Sequence, residues 1–132
     1  MIYGIGTDLI RVERIAAVLA KHPDRFAQKL LHPVEFQQYL QSKRATNFLA
    51  KSWATKEAFG KALGTGVRGY ANPEVGVVRG ELGRPHLVYS DAMQARLDAL
   101  GIVAGHVSLT DEDGLVLAYV VLERRDTPIA AG

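Results

Sequence analysis

The sequence predicts an α+β fold, and three observations carry that prediction. Apolar periodicity and turn residues order the chain as one strand, three helices, two strands, one helix and two strands. That order lacks the regular alternation of a parallel βαβ sheet. The chain has 132 residues, 48% hydrophobic and 23% charged, which suits one globular domain rather than a disordered chain. It has no cysteine, so neither a disulfide scaffold nor a thiolate metal site can hold it together.

Each element has a local reason. Residues 2–7 read as a short strand with glycines at 4 and 6, and Asp8 stands where that strand would give way to a helix. There it could serve as an N-cap. Val12, Ile15, Ala16 and Leu19 recur at helical spacing through Ala20, and Pro23 breaks or restarts that helix. Pro33 can open another helix reaching about Ser42, since proline is tolerated in a first turn. Asn47–Leu63, rich in Ala, Leu, Lys and Phe, is the strongest helical segment, and Gly64-Thr65-Gly66 stops it. Asn72-Pro73 marks a loop. Short strands follow at Glu74–Arg79 and His86–Tyr89, split by a turn around Gly83-Arg84-Pro85. Ser90 can cap a helix ending near Gly101. Val103–Thr110 and Leu115–Glu123 flank Asp111-Glu112-Asp113-Gly114, a hairpin signal. The expected domain is 1–125, with 126–132 a flexible tail.

Charge and motifs narrow the function. Residues 1–70 hold eleven Lys and Arg against five Asp and Glu, and residues 71–132 hold five against nine. The basic half can steer an acidic partner, or it can be an ordinary solvated surface. The N-terminal residues are not expected to act as a signal peptide, since Asp8 interrupts them, and the apolar run Leu115–Leu122 is far short of the ~20 residues of a membrane helix. A chain in the reducing cytoplasm, off the membrane, is the expectation. Gly64-Thr65-Gly66-Val67-Arg68-Gly69 matches a dinucleotide pattern, but a helix precedes it where a strand is needed. Ser108, His106 and Asp111 supply hydrolase residue types without a nucleophile elbow. Few aromatics interleave the basic residues, so a nucleic-acid partner is not expected.

One constellation survives. On the helix around 47–63, Ala50, Ala54, Glu57 and Lys61 share a face, where alanines would let a ligand approach a carboxylate and an ammonium one turn apart. The same Glu57–Lys61 spacing also describes a plain surface pair. Gly64-Thr65-Gly66 reads as a C-cap or as a backbone nest for phosphate. Asp8 and Glu57 could supply two carboxylates of a mixed Mg²⁺ shell, with Lys61 and His106 beside them.

The chain resembles the bacterial holo-acyl-carrier-protein synthases, the short homotrimeric class of 4′-phosphopantetheinyl transferases. The resemblance covers Met1 to about Glu123. It rests on Gly4-Ile5-Gly6-Thr7-Asp8, Arg25-Phe26-Ala27, Phe48-Leu49-Ala50, Ala54-Thr55-Lys56-Glu57-Ala58, Lys61-Ala62-Leu63-Gly64-Thr65-Gly66, Gly83-Arg84-Pro85 and His106-Val107-Ser108-Leu109-Thr110, taken in that order.

It implies the phosphopantetheinyl transferase fold, an antiparallel sheet packed against helices with one long central helix. It implies transfer of 4′-phosphopantetheine from coenzyme A to a serine of apo-acyl-carrier protein for fatty acid biosynthesis, releasing adenosine 3′,5′-bisphosphate. By the same resemblance Asp8 and Glu57 match the Mg²⁺ ligands. Lys61 matches a lysine near the diphosphate, Gly64-Thr65-Gly66 falls in the cofactor loop, and His106 matches the coenzyme A histidine. His106 is then expected to face Asp8 and Glu57 of a neighbouring protomer. Arg14, Lys21, Arg25 and Lys29, with apolar Val18 and Phe26, match the docking set for the acidic carrier protein. The base for the serine stays open between Glu57, His106 and a water in the metal shell steered by Glu35, the last being favoured. Two departures stand out: Asp111 replaces a histidine common in relatives, and Ser52-Trp53 replaces a basic-aromatic pair. Trp53 is expected in the core or at a trimer contact.

Overall fold

The computed structural model describes residues 1–126. The expected tail, 126–132, lies outside these residues except for Asp126, whose Oδ1 accepts a hydrogen bond from the Met1 ammonium at 3.1 Å.

Strand β1 spans Ile2–Arg11, four residues beyond the sequence expectation. It pairs antiparallel with β5 (Leu115–Arg124) from Ile2 opposite Glu123 to Arg11 opposite Leu115. The β5 strand also pairs antiparallel with β4 (Ile102–Glu112), giving a three-stranded sheet in the order β1-β5-β4. The length of β5 draws β1 out, because ladder bonds continue as long as a partner strand does. Asp8 therefore sits inside a strand and caps no helix. Helix α1 (Val12–Lys21) begins after Arg11 with no side-chain cap, and the Val12 N–H donates to Gly114 O at 2.8 Å.

Pro23 ends α1 as expected, and the chain restarts as α2 (Arg25–Leu30). Helix α3 (Pro33–Leu40) has proline in its first turn and an imidazole at its N-cap: His32 Nδ1 accepts from Val34 N–H at 3.1 Å. The long helix α4 spans Ala45–Leu63 and ends at Gly64, whose φ of +90° suits a glycine C-cap. Two 3-10 turns, Gly66–Gly69 and Asn72–Glu74, lead to the hairpin of β2 (Val75–Arg79) and β3 (Pro85–Tyr89). Ser90 caps α5 (Asp91–Ala99), its Oγ accepting from Met93 N–H at 3.1 Å. The β4–β5 turn carries Asp113 and Gly114 at φ of 52° and 74°, the positive pair a two-residue hairpin wants.

Helix α4 lies across one face of the sheet, where Val116, Ala118, Val120 and Leu122 of β5 are fully buried with Ala50, Ala54, Ala58 and Phe59. The helix approaches β1 so closely that only glycine fits beneath it. A Cβ on Gly4 would stand 1.8 Å from Ala62 O, and one on Gly6 would stand 1.9 Å from Ala58 O. This corrects the expectation that Ala50 and Ala54 leave room for a ligand: both are fully buried, and the close approach serves helix-on-sheet packing. Among the described residues no helix covers the other sheet face, which exposes Ile5, Leu9 and Tyr119.

Candidate active site

Strand β1 and helix α4 cross so that Asp8 and Glu57 come to one cleft. It measures about 260 Å³ and is lined by Asp8, Leu9, Ile10, Arg14, Trp53 and Glu57. The Gly4 and Gly6 contacts bring Asp8, two residues further along the same strand face, level with the Glu57–Lys61 turn of α4. Lys61 Nζ donates to Thr7 O at 2.9 Å and stands 3.7 Å from Asp8 Oδ1. Burial raises the Asp8 carboxyl above its ordinary range, against the pull of Lys61 and Arg14. Burial also raises Glu57, and the Asp8 charge raises it further against Lys61.

Two adjacent carboxylates that burial and repulsion push towards protonation are an electrostatic deficit. A divalent cation taking hard oxygen ligands would relieve it, so this donor set fits Mg²⁺ completed by substrate oxygens and water. Of the expected constellation, Asp8, Glu57 and Lys61 therefore meet, and Arg14 joins them. Gly64-Thr65-Gly66 lies one turn past Lys61, with Gly64 and Gly66 both at positive φ, so its backbone needs glycine there.

His106 does not meet them. Its strand position is opposite Val121, on the exposed sheet face, whereas Asp8 pairs with buried Ala118 on the helix-covered face. The register puts them two strands and three residues apart, about 14 Å between Cα atoms. His106 Nε2 instead lies 2.8 Å from Glu123 Oε2. The tight Asp113-Gly114 turn sets a register that makes these two residues diagonal neighbours, so this pair was legible in the sequence.

Glu35 is a correction. Its carboxylate is fully buried, 2.9 Å from Lys56 Nζ, and accepts from His32 N–H and Val77 N–H. It reaches no open cleft and cannot steer a water there. Trp53 is half-buried and packs beside Phe26, ring centroids 6.3 Å apart, while lining the carboxylate cleft. It packs against the hydrophobic core, as expected, and also walls the cleft. Arg14, Val18, Lys21, Arg25 and Lys29 are exposed and Phe26 is half-buried, along the edge made by α1 and α2.

Sequence reasoning missed a second concavity. About 350 Å³ is lined by Lys43, Arg44, Lys51 and Arg79 with Phe48, Ser52 and Leu109. Ser52 Oγ is the one buried side-chain polar atom without a hydrogen-bond partner among the described residues. The Lys43-Arg44 pair and Lys51 were visible as charges, but only the fold brings Arg79 of β2 to them. Asp111 borders this group, 3.8 Å from Lys51 Nζ and accepting from Asn47 Nδ2 at 3.2 Å.

A family model described as the 4′-phosphopantetheinyl transferase superfamily matches residues 4–119. The chain belongs to this family. Among its members, the holo-[acyl-carrier-protein] synthase of Thiobacillus denitrificans is 45% identical over 128 residues, covering 96% of this chain and 98% of that one. The crystal structure of the Neisseria meningitidis synthase superposes with a TM-score of 0.90 at 41% identity, covering 94% of this chain and all of that one. A Bacillus anthracis synthase structure, described as a complex with CoA (3′,5′-ADP), gives a TM-score of 0.78 at 31% identity, covering 95% and 99%. The α+β transferase fold expected from the sequence is the fold of these family members.

Proposed function

We infer that this transferase is a holo-[acyl-carrier-protein] synthase, moving 4′-phosphopantetheine from coenzyme A to a serine of apo-acyl-carrier protein. The serine oxygen bonds to the phosphorus that bears pantetheine, the bridging P–O bond breaks, and adenosine 3′,5′-bisphosphate leaves. The observation that carries the site assignment is the meeting of Asp8 and Glu57 in one cleft, with Lys61 Nζ 3.7 Å from Asp8 Oδ1 beside it. Asp8 and Glu57 would hold Mg²⁺, which would supply positive charge to offset that of the diphosphate. Lys61 offsets the charge on the leaving phosphate. With Glu35 locked in the core, Glu57 and His106 are the side chains left to take the serine proton.

Coenzyme A is rich in phosphate, and the pocket of Lys43, Arg44, Lys51 and Arg79 suits its nucleotide end, with Phe48 offering a ring face. The loop Gly64-Thr65-Gly66 borders the diphosphate beside Lys61. The exposed cations Arg14, Lys21, Arg25 and Lys29 suit an acidic carrier protein, with Val18 and Phe26 as its apolar contacts.

We propose a homotrimer, because Asp8 and His106 lie on opposite faces of one sheet and can share a site only across two protomers. The apolar face with Ile5, Leu9 and Tyr119 would then be covered by a neighbour. A role in fatty acid biosynthesis and a cytoplasmic place follow from the carrier-protein reading. They agree with a chain lacking cysteine and, among the described residues, lacking any helix long and apolar enough to cross a membrane.

The test is mass spectrometry of apo-acyl-carrier protein incubated with the chain, coenzyme A and Mg²⁺, beside a no-metal control and Asp8→Ala. A gain of one phosphopantetheine, lost in both controls, is expected. Transfer that persists without metal would overturn the Mg²⁺ assignment.

A further inference from the structure

The mechanism uses Glu57 but not its neighbour Lys56, which is 1% exposed and faces a fully buried Glu35. Both charges are fully engaged. Lys56 Nζ donates to Glu35 Oε1 at 2.9 Å, to Asn72 O at 3.1 Å and to Val75 O. Glu35 Oε1 also accepts from His32 N–H at 3.1 Å, and Oε2 from Val77 N–H at 2.9 Å. Tyr70 Oη donates to Lys56 O at 2.8 Å. Gly76 leaves the space this needs, since a Cβ there would stand 2.9 Å from Glu35 Oε1. One ion pair thus ties α3, the β2–β3 hairpin and the Asn72 turn to α4, one residue before Glu57.

Successive helix residues point about 100° apart, so α4 anchors itself through Lys56 on one side while presenting Glu57 to β1 on another. Apolar contacts resist separation but tolerate small sliding and rotation. A directional, fully bonded pair does not. Buried ion pairs add little stability over apolar residues of similar size, which turns attention from stability to position.

We propose that the Glu35–Lys56 pair is the positioning device of the active site, fixing the rotation and height of α4 so that the Glu57 carboxylate meets Asp8. Lys56 then touches neither substrate nor metal, although it adjoins Glu57 in the sequence. The inference rests on the reading of Glu57 as a site carboxylate.

The experiment uses the full chain carrying Glu35→Leu with Lys56→Met, and separately Glu35→Asp, which keeps the charge and shortens its arm by one methylene. Thermal melting, kcat, KM for coenzyme A and calorimetric Mn²⁺ affinity without substrate are measured for each. The expected result is a folded protein with KM for coenzyme A within about twofold and kcat and Mn²⁺ affinity each reduced about 10–100-fold, the range for residues supporting a metal ligand. Glu35→Asp is expected to show the same split, and it carries the test if the double variant does not fold. Either variant folding with parental kcat and Mn²⁺ affinity overturns the proposal, as does a loss of kcat with cation affinity intact. Glu57→Gln runs beside them: if it keeps parental turnover and Mn²⁺ affinity, the reading of Glu57 itself fails, whatever the pair variants do.

Discussion

At the residue scale, Asp8 and Glu57 are placed against the stability of their own fold. Both carboxyls are held above their ordinary range, by burial first and, at Glu57, by the Asp8 charge next. The native state therefore holds more protons than the unfolded chain from about pH 4 up to the raised values. Stability falls as pH rises through that window and stays reduced at neutral pH. Asp8→Asn or Glu57→Gln should then raise the melting temperature at pH 7 without divalent ions and flatten its fall from acidic pH. Mg²⁺ should stabilise the parent by about 2.7 kcal/mol at a hundred times its Kd and leave the variants nearly unmoved. Turnover of either variant should drop about 10²–10³-fold, as for loss of one group that stabilises developing charge. Scanning calorimetry with and without Mg²⁺ and a carrier-protein transfer assay check the three outcomes. Parent and variants with the same melting temperature in both conditions would remove the carboxylate strain.

At the scale of elements, the sequence disclosed the helices and strands well, because each carries its own signal. Pro23 breaks α1, Gly64 stops α4, Ser90 caps α5 and Asp113-Gly114 turns the last hairpin. It disclosed β1 poorly. Polar Asp8 looks like the end of a short strand, and only the long β5 beside it carries β1 on to Arg11. Lys56 shows the same limit: its place among Leu49, Ser52, Phe59 and Leu63 put it on the buried stripe, but its partner Glu35 lies 21 residues away, beyond any local pattern. Gly6→Ala tests how far the site depends on the contact of β1 with α4. The clash with Ala58 O is with backbone and cannot be relieved by a rotamer. A loss of about 3 kcal/mol or more in urea unfolding is expected. On α2, Arg25→Glu reverses a charge beside Phe26 and Lys29. It should raise KM for the carrier protein about tenfold at low salt with KM for coenzyme A unchanged, and the difference should shrink as salt screens the contact. Equal carrier-protein KM for parent and variant at low salt would move the docking surface elsewhere.

At the scale of the whole molecule, the sheet separates the chemistry. Asp8, Glu57 and Lys61 gather at the β1 edge under α4, while His106 stands on the bare face of the opposite edge strand, paired with Glu123. No rotamer carries an imidazole through a sheet, so a site using both needs the β4 side of one protomer against the β1 side of the next. Such a contact joins unlike surfaces and must close into a ring to end, as a trimer does. The arrangement predicts complementation between two disabled variants. In that arrangement Asp8→Ala would spoil every site through one face, and His106→Ala would spoil every site through the other. If trimers form at random from an equal mixture, about a quarter of interfaces join an intact Asp8 to an intact His106. Co-refolding the two should restore about a quarter of the activity per site, whereas mixing the folded oligomers without exchange should restore none. Tyr119→Glu, at the centre of the bare face, should dissociate the assembly in light scattering and abolish transfer while leaving the cleft of Asp8 and Glu57 intact. A fully active monomer, or a refolded mixture no more active than the sum of its parts, would return both halves of the site to one chain.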